Sequence, residues 1–177
     1  MKSIALILGG ARSGKSRYAQ QLAAEFKKVT VIATARPDDE EMQRKIDAHR
    51  SQRPACWRTV EAPLDLPGAL HDADSGTDLL LIDCLTLYVA NLLGTKDGGA
   101  RLFRGHSQKI CKALQSARAS AIIVSNEVGS GIVPPYKSGR MYRDLLGELN
   151  QEVARIADRV TYMVAGLPLT VKDLRHS

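Results

Sequence analysis

Eight residues near the start, Gly9-Gly10-Ala11-Arg12-Ser13-Gly14-Lys15-Ser16, constrain this chain more than any others. They fit G-x-x-x-x-G-K-S, the spacing of a phosphate-binding P-loop. The run before them, Ile4-Ala5-Leu6-Ile7-Leu8, is short and apolar, as a buried strand is. The run after them, Arg17 to Phe26, holds good helix formers and neither Gly nor Pro. Strand, glycine turn and helix in that order are the context the motif needs. Glycines let the backbone curl so that several N–H groups face one phosphate chain. The helix that opens here adds the positive end of its dipole. Lys15 brings a mobile charge to the outer phosphates, and the Ser16 hydroxyl is placed to ligate Mg²⁺. The motif predicts a nucleoside triphosphate as ligand.

Length and composition narrow the setting. A chain of 177 residues with 44% hydrophobic and 25% charged residues suits one globular domain spanning 1–177. No apolar run approaches the roughly 18 residues of a membrane span. The N-terminus leads straight into a strand, with no signal peptide expected. Cys56, Cys84 and Cys111 are odd in number and lack C-x-x-C spacing, which predicts reduced thiols in a cytoplasmic protein. The net charge of +6 is scattered and aromatics are only 5%, so nucleic acid is not the expected partner. Binding of polyanionic nucleotides accounts for part of the excess.

Strands and helices alternate along the chain. Val29 to Thr34 is β-branched and short, a second strand, and its end at Thr34-Ala35-Arg36 falls near the P-loop at the carboxyl edge of a parallel sheet. Pro37 and the acidic run Asp38 to Glu41 open a helix on which Met42, Ile46 and His49 share a face. Arg50-Ser51-Gln52-Arg53-Pro54 closes it. Trp57 to Glu61 reads as a third strand, and Leu64 to Asp72 as a short helix. Leu79-Leu80-Leu81-Ile82-Asp83 is an apolar strand ending in Asp, the form of a Walker B element whose carboxylate holds Mg²⁺. A helix over 84–93, a polar glycine-rich loop over 94–99, a long helix over 101–119 and a strand over 121–125 follow. A loop of two glycines and two prolines, 126–135, precedes an amphipathic helix over 140–156 and a last main strand over 159–165; 167–171 is a candidate for one more strand. The expected class is α/β, P-loop NTPase-like, with a mostly parallel sheet and helices on both faces.

Three readings of such a P-loop protein compete. A regulatory GTP-binding switch needs N/T-K-x-D after a late strand. Asn126-Glu127-Val128-Gly129 stands there instead, and Thr95-Lys96-Asp97 lacks both the spacing and the strand. A small-molecule kinase needs only the P-loop, Mg²⁺ and a place for an acceptor hydroxyl. A nucleotidyltransferase attacks the α-phosphate and releases pyrophosphate. By spacing alone His49, on the inner face of its helix, reads as a satisfied core histidine rather than a catalytic one.

A series of motifs discriminates among them. The P-loop is followed by Ile32-Ala33-Thr34, by His49-Arg50 with Arg53-Pro54, and by Trp57-Arg58-Thr59-Val60-Glu61. Later come Asn126 to Pro134 and Gly147-Glu148-Leu149-Asn150-Gln151. In this order, over nearly the whole chain, the series closely resembles the bifunctional adenosylcobinamide kinase/adenosylcobinamide-phosphate guanylyltransferase family of cobalamin biosynthesis. The resemblance implies that ATP or GTP phosphorylates the corrinoid adenosylcobinamide. GTP then guanylylates an enzyme histidine, and the GMP passes on to give adenosylcobinamide-GDP. It implies His49 as that nucleophile, working with Lys15. It implies nucleotide contacts from Gly9 to Ser16, Thr34 to Arg36, Arg50, Ser51, Gln52, Arg53, Glu61 and Asp83, with Mg²⁺ on Ser16 and Asp83. It further implies a RecA-like core and a small homo-oligomer, often a trimer.

Overall fold

Alternation within the strands decides the layering. In β1 (Ile4–Gly9), Ile4 and Leu6 enter one hydrophobic cluster and Ile7 enters another. The same split runs through β4 (Leu79–Asp83), with Leu80 and Ile82 on one side and Leu79 and Leu81 on the other. β5 (Ser120–Val124) repeats it, with Ala121 and Ile123 against Ile122 and Val124. Successive side chains of a strand point to opposite faces, so these three strands are buried on both. In the computed structural model, which describes residues 2–37, 39–51 and 53–174 (for Lys45, the backbone only), they form the centre of a seven-stranded sheet of order β3-β2-β4-β5-β1-β6-β7.

The pairings among β3, β2, β4, β5, β1 and β6 are parallel, and β7 runs antiparallel to β6. The remaining strands are β2 (Val29–Ala33), β3 (Arg58–Glu61), β6 (Arg159–Val164) and β7 (Leu167–Asp173). The expected architecture holds, and the candidate strand over 167–171 is real and reaches Asp173.

The faces are covered unequally. On one lie α3 (Leu66–Ala73), α4 (Leu85–Leu93), α5 (Ala100–Ser116) and α6 (Lys137–Ile156), contributing Leu70, Tyr88, Phe103, Ile110 and Leu149 to the larger cluster. On the other, α1 (Lys15–Ala23) supplies Ala19 and Ala23 to the smaller one. α2 (Glu40–Ser51) belongs to neither, and among its described side chains none is buried. Asp39 starts it, its carboxylate accepting from the Met42 N–H at 2.7 Å, as an N-cap does. Asp38, expected in the same acidic start, lies outside the described residues.

This architecture places the carboxyl ends of β1, β2, β4 and β5 side by side. In open α/β sheets that edge is where ligands bind.

Candidate functional site

The P-loop conformation depends on two glycines and on a distant hairpin. Gly14 has φ of +95°, in the left-handed region, immediately before α1 begins. A Cβ on Gly9 would lie 2.6 Å from the Met163 carbonyl oxygen and 2.7 Å from Ser13 Oγ, so no larger residue fits there. Met163 sits in β6. Just beyond it, Ala165 and Gly166, both with positive φ, turn the chain into β7. The Gly166 N–H donates to the Ser13 carbonyl at 3.0 Å. The β6–β7 hairpin therefore props the loop from behind.

Lys15 is buried inside that loop, and its Nζ donates to the Gly10 carbonyl at 2.5 Å. Burial lowers its pKa from the usual lysine range, and the Asp83 carboxylate offsets this only partly. A buried cation held this way gains from an arriving anion.

Three titratable side chains meet across from it. Asp83, at the end of β4, receives Arg53 Nη2 at 3.2 Å, and His49 Nδ1 stands 3.8 Å from the same oxygen. The second distance is a charge contact rather than a hydrogen bond. Burial pushes the Asp83 carboxyl upward, but His49 and Arg53 outweigh it and hold the group below the usual carboxylate range. Asp83 in turn raises the His49 pKa, against a smaller lowering by burial. Arg53 is almost fully covered, and among the described residues its Nε has no hydrogen-bond partner. A buried donor without an acceptor is rare in folded proteins. Cys84, next to Asp83, has its thiol pushed up by burial and by the carboxylate, so it is a neutral group.

These residues open on one cavity of about 820 Å³. Ala11, Arg12, Ser13, Gly14, Lys15 and Ser16 form its floor; Ala35, His49, Arg50, Arg53, Glu61 and Asp83 contribute to its walls. Met42 and Ile46 line it too. The apolar face of α2 that carries His49 thus faces a cavity and not a core, which corrects the core placement that spacing alone favours.

Other expected residues lie elsewhere. Gly9 and Gly10 are at the neck of the loop and do not line the cavity. Thr34 is fully buried, donating to the Cys84 carbonyl at 2.6 Å and accepting from the Cys84 N–H at 2.9 Å. It is a strut joining the ends of β2 and β4, not part of the wall. Arg36 is exposed beyond the wall, and the Ser51 hydroxyl donates to the Ala48 carbonyl within α2. Gln52 lies outside the described residues.

The cavity also includes Thr59, Thr86, Leu87 and Asn126, which sequence reasoning did not single out as site residues. Two of them had a usable signal. Thr86 opens the helix after the Walker B strand, and Asn126 is the second residue past β5, at the same sheet edge as Asp83.

The family described as cobinamide kinase/cobinamide phosphate guanyltransferase matches residues 5–171. The bifunctional adenosylcobalamin biosynthesis protein CobP of Pseudomonas aeruginosa is 46% identical over 94% of this chain and 96% of its own. The bifunctional adenosylcobalamin biosynthesis protein CobU of Escherichia coli is 37% identical over 94% and 98%. In fold, the chain is similar to an ATPase of a type III secretion system (TM-score 0.57, 14% identity), over 95% of this chain and 56% of that one. It is similar to a Pyrococcus horikoshii protein as well (TM-score 0.58, 7% identity), over 97% and 87%. Two relatives above a third identical over nearly their whole length, and a family match from β1 to β7, agree with the motif order along the cavity: the chain belongs to the cobinamide kinase/cobinamide phosphate guanyltransferase family.

Proposed function

We propose that this chain phosphorylates adenosylcobinamide with a nucleoside triphosphate and then transfers GMP from GTP to the product through His49. The observation that carries this reading is the meeting of Lys15, Asp83, Arg53 and His49 over one cavity. A plain kinase needs the first two; a histidine at the cavity wall has a purpose in the second reaction.

With Nδ1 turned toward Asp83, His49 presents Nε2 to the ligand. Neutral imidazole is a good nucleophile near pH 7. Nε2 forms a bond to the α-phosphorus of GTP, the α–β bridging bond breaks, and pyrophosphate leaves with the bonding electrons. A phosphate oxygen of adenosylcobinamide phosphate then attacks the same phosphorus, and the N–P bond breaks to restore the imidazole. Lys15 and the P-loop N–H groups hold the pyrophosphate moiety. Arg53 and the exposed Arg50, both lining the cavity, offer charge-assisted bonds to the phosphates. Glu61 at the far wall is placed to accept from the guanine N1–H and amino group.

Among the described residues no cluster of three His, Cys, Asp or Glu forms a self-sufficient metal site. That fits Mg²⁺ bound with a nucleotide, which takes one or two protein groups and completes its shell with phosphates and water. Asp83, held ionised, and the Ser16 hydroxyl are those groups. When bound, Mg²⁺ neutralises charge developing on the phosphates. No described helix is long and apolar enough to cross a membrane; the free thiols of Cys56, Cys84 and Cys111 support the reducing cytoplasm as its proposed location.

The test is GTP labelled at the α-phosphate. Label retained on the protein, labile to acid and stable to base, is the expected result. In His49→Ala the label is lost while phosphorylation of adenosylcobinamide persists. Labelling that survives in the variant removes His49 as nucleophile. A wild type that phosphorylates but never takes up label leaves a kinase alone.

A further inference from the structure

Asn126 has its backbone tied on every side while its side chain is not. Its N–H donates to Thr86 Oγ1 at 2.9 Å, and its carbonyl accepts from Asn150 Nδ2 at 3.0 Å. The flanking residues continue the ladder onto β1: the Ser125 N–H reaches the Ile7 carbonyl at 3.0 Å and the Glu127 N–H reaches Gly9 at 3.1 Å. Thr86 is itself fastened by the Tyr142 hydroxyl at 3.3 Å, and Asn150 is buried in α6. Among the described residues the Asn126 side-chain amide bonds to none, and it lines the nucleotide cavity. Such a frame holds one amide in place for something absent from the fold's own hydrogen bonding.

Sheet order says what that something is. β5 lies between β4, which ends in Asp83, and β1, which leads into the P-loop. Val124 is level with Asp83 on one side and Ile7 on the other. Asn126, two residues further, stands beyond the line joining Walker carboxylate and P-loop, where the end of a triphosphate and its acceptor meet. Glu61 and Thr59 come from β3, three strand spacings away, roughly 14 Å. Nucleoside contacts and the His49 chemistry fall toward that opposite side of β4.

We propose that Asn126 orients the phosphoryl transfer of the kinase step. Nδ2–H donates to a terminal-phosphate oxygen, and Oδ1 accepts from the acceptor hydroxyl, holding the two in line. The bond from the acceptor oxygen to the γ-phosphorus forms. The bond from that phosphorus to the β–γ bridging oxygen breaks, its electrons staying on the nucleoside diphosphate. The hydroxyl proton passes to an oxygen of the transferred group; the amide aligns and is not a base. This rests on the two-step reading above.

The experiment compares wild type, Asn126→Ala and Asn126→Asp. It measures kcat and nucleotide KM for adenosylcobinamide phosphorylation, protein-bound GMP from α-labelled GTP, and thermal unfolding. For the alanine variant we expect phosphorylation kcat to fall roughly 100-fold, as loss of one oriented donor does, with nucleotide KM within about threefold. The aspartate variant, which keeps the shape but turns charge against the phosphate, falls at least as far. The endpoint of GMP labelling changes far less than kcat in both. A kcat within about threefold of wild type in either folded variant overturns the proposal, as does a parallel loss of labelling and phosphorylation. If the alanine variant does not fold, the near-isosteric aspartate variant decides. A wild type that phosphorylates but takes no GMP refutes the two-step reading and leaves Asn126 to be judged by kcat alone.

Discussion

Lys15 concentrates the conflict between stability and function in one side chain. Its folded pKa lies below the usual lysine value because of burial, so at neutral pH its charge weighs against folding, and that penalty disappears only above the unfolded pKa. Lys15→Met is therefore expected to raise the melting temperature of the nucleotide-free protein while removing both transfers, a transition-state loss of several kcal/mol. Calorimetry and turnover at saturating nucleotide check the two halves separately. His49 has the opposite sign. Asp83 raises its pKa, so any stability it adds is complete below about 6.5 and fades as pH rises through the folded value. An NMR titration of the nucleotide-free protein should place the His49 midpoint above 6.5, and Asp83→Asn should bring it down. An unchanged midpoint in that variant would mean that the 3.8 Å contact carries no charge coupling.

At the scale of elements, β2 and β4 end in a joint rather than in two free loops. Thr34 closes it from β2, bonding both backbone groups of Cys84, and Asn91 of α4 donates to the Thr34 carbonyl at 2.7 Å. Thr34→Val keeps the shape, leaves the Cys84 N–H without its partner and leaves the Cys84 carbonyl with the Tyr88 N–H alone at 3.3 Å. A destabilisation of about 1–3 kcal/mol is expected from such an orphaned donor. Chemical denaturation measures it. Nucleotide KM per folded molecule should move little, because the hydroxyl is not in the cavity wall; a large rise in KM with unchanged stability would return Thr34 to the binding site. α2 is the contrasting element. It has no described buried side chain, and the contacts of His49 and Arg53 with Asp83 link it and the second residue past its end to the sheet. An element attached in this way answers to whatever occupies Asp83.

For the whole molecule, the sheet ends at β7 in an edge that no described residue covers. Leu167 and Leu169 share one face of β7, Val171 lies at its irregularity, and the three are 71%, 58% and 64% exposed. An apolar, unprotected edge strand is a template for association, and we propose that a second copy buries it in a homo-oligomer, a trimer by the resemblance to the family. The double variant Leu167→Glu, Leu169→Glu should sediment as a monomer where the wild type sediments as an oligomer. A monomeric wild type removes the proposal, and an oligomeric variant moves the interface off β7. Because the β6–β7 hairpin also props the P-loop through Gly166 and Met163, dissociation is expected to weaken nucleotide binding as well.

Some of this protein was legible in its residues alone. The P-loop is local: glycine conformations, a lysine and a serine at fixed spacing set the phosphate cradle wherever the strand and helix form. Walker-type Asp83, the α/β class and the strand–helix alternation follow from periodicity and from one residue's place at a strand end. The order of motifs pointed to the family. What a chain cannot display is lateral order. That β5 lies between β4 and β1, that α2 stands over a cavity, and that Thr34 meets Cys84 fifty positions away are products of strand pairing across long loops. Thr34 and Ala35 are neighbours in sequence, yet one is a strut and the other a wall, because adjacent residues at a strand end face opposite ways. Asn126 gained its place the same way: backbone bonds to Thr86 of α4 and Asn150 of α6 hold a loop asparagine at the cavity wall.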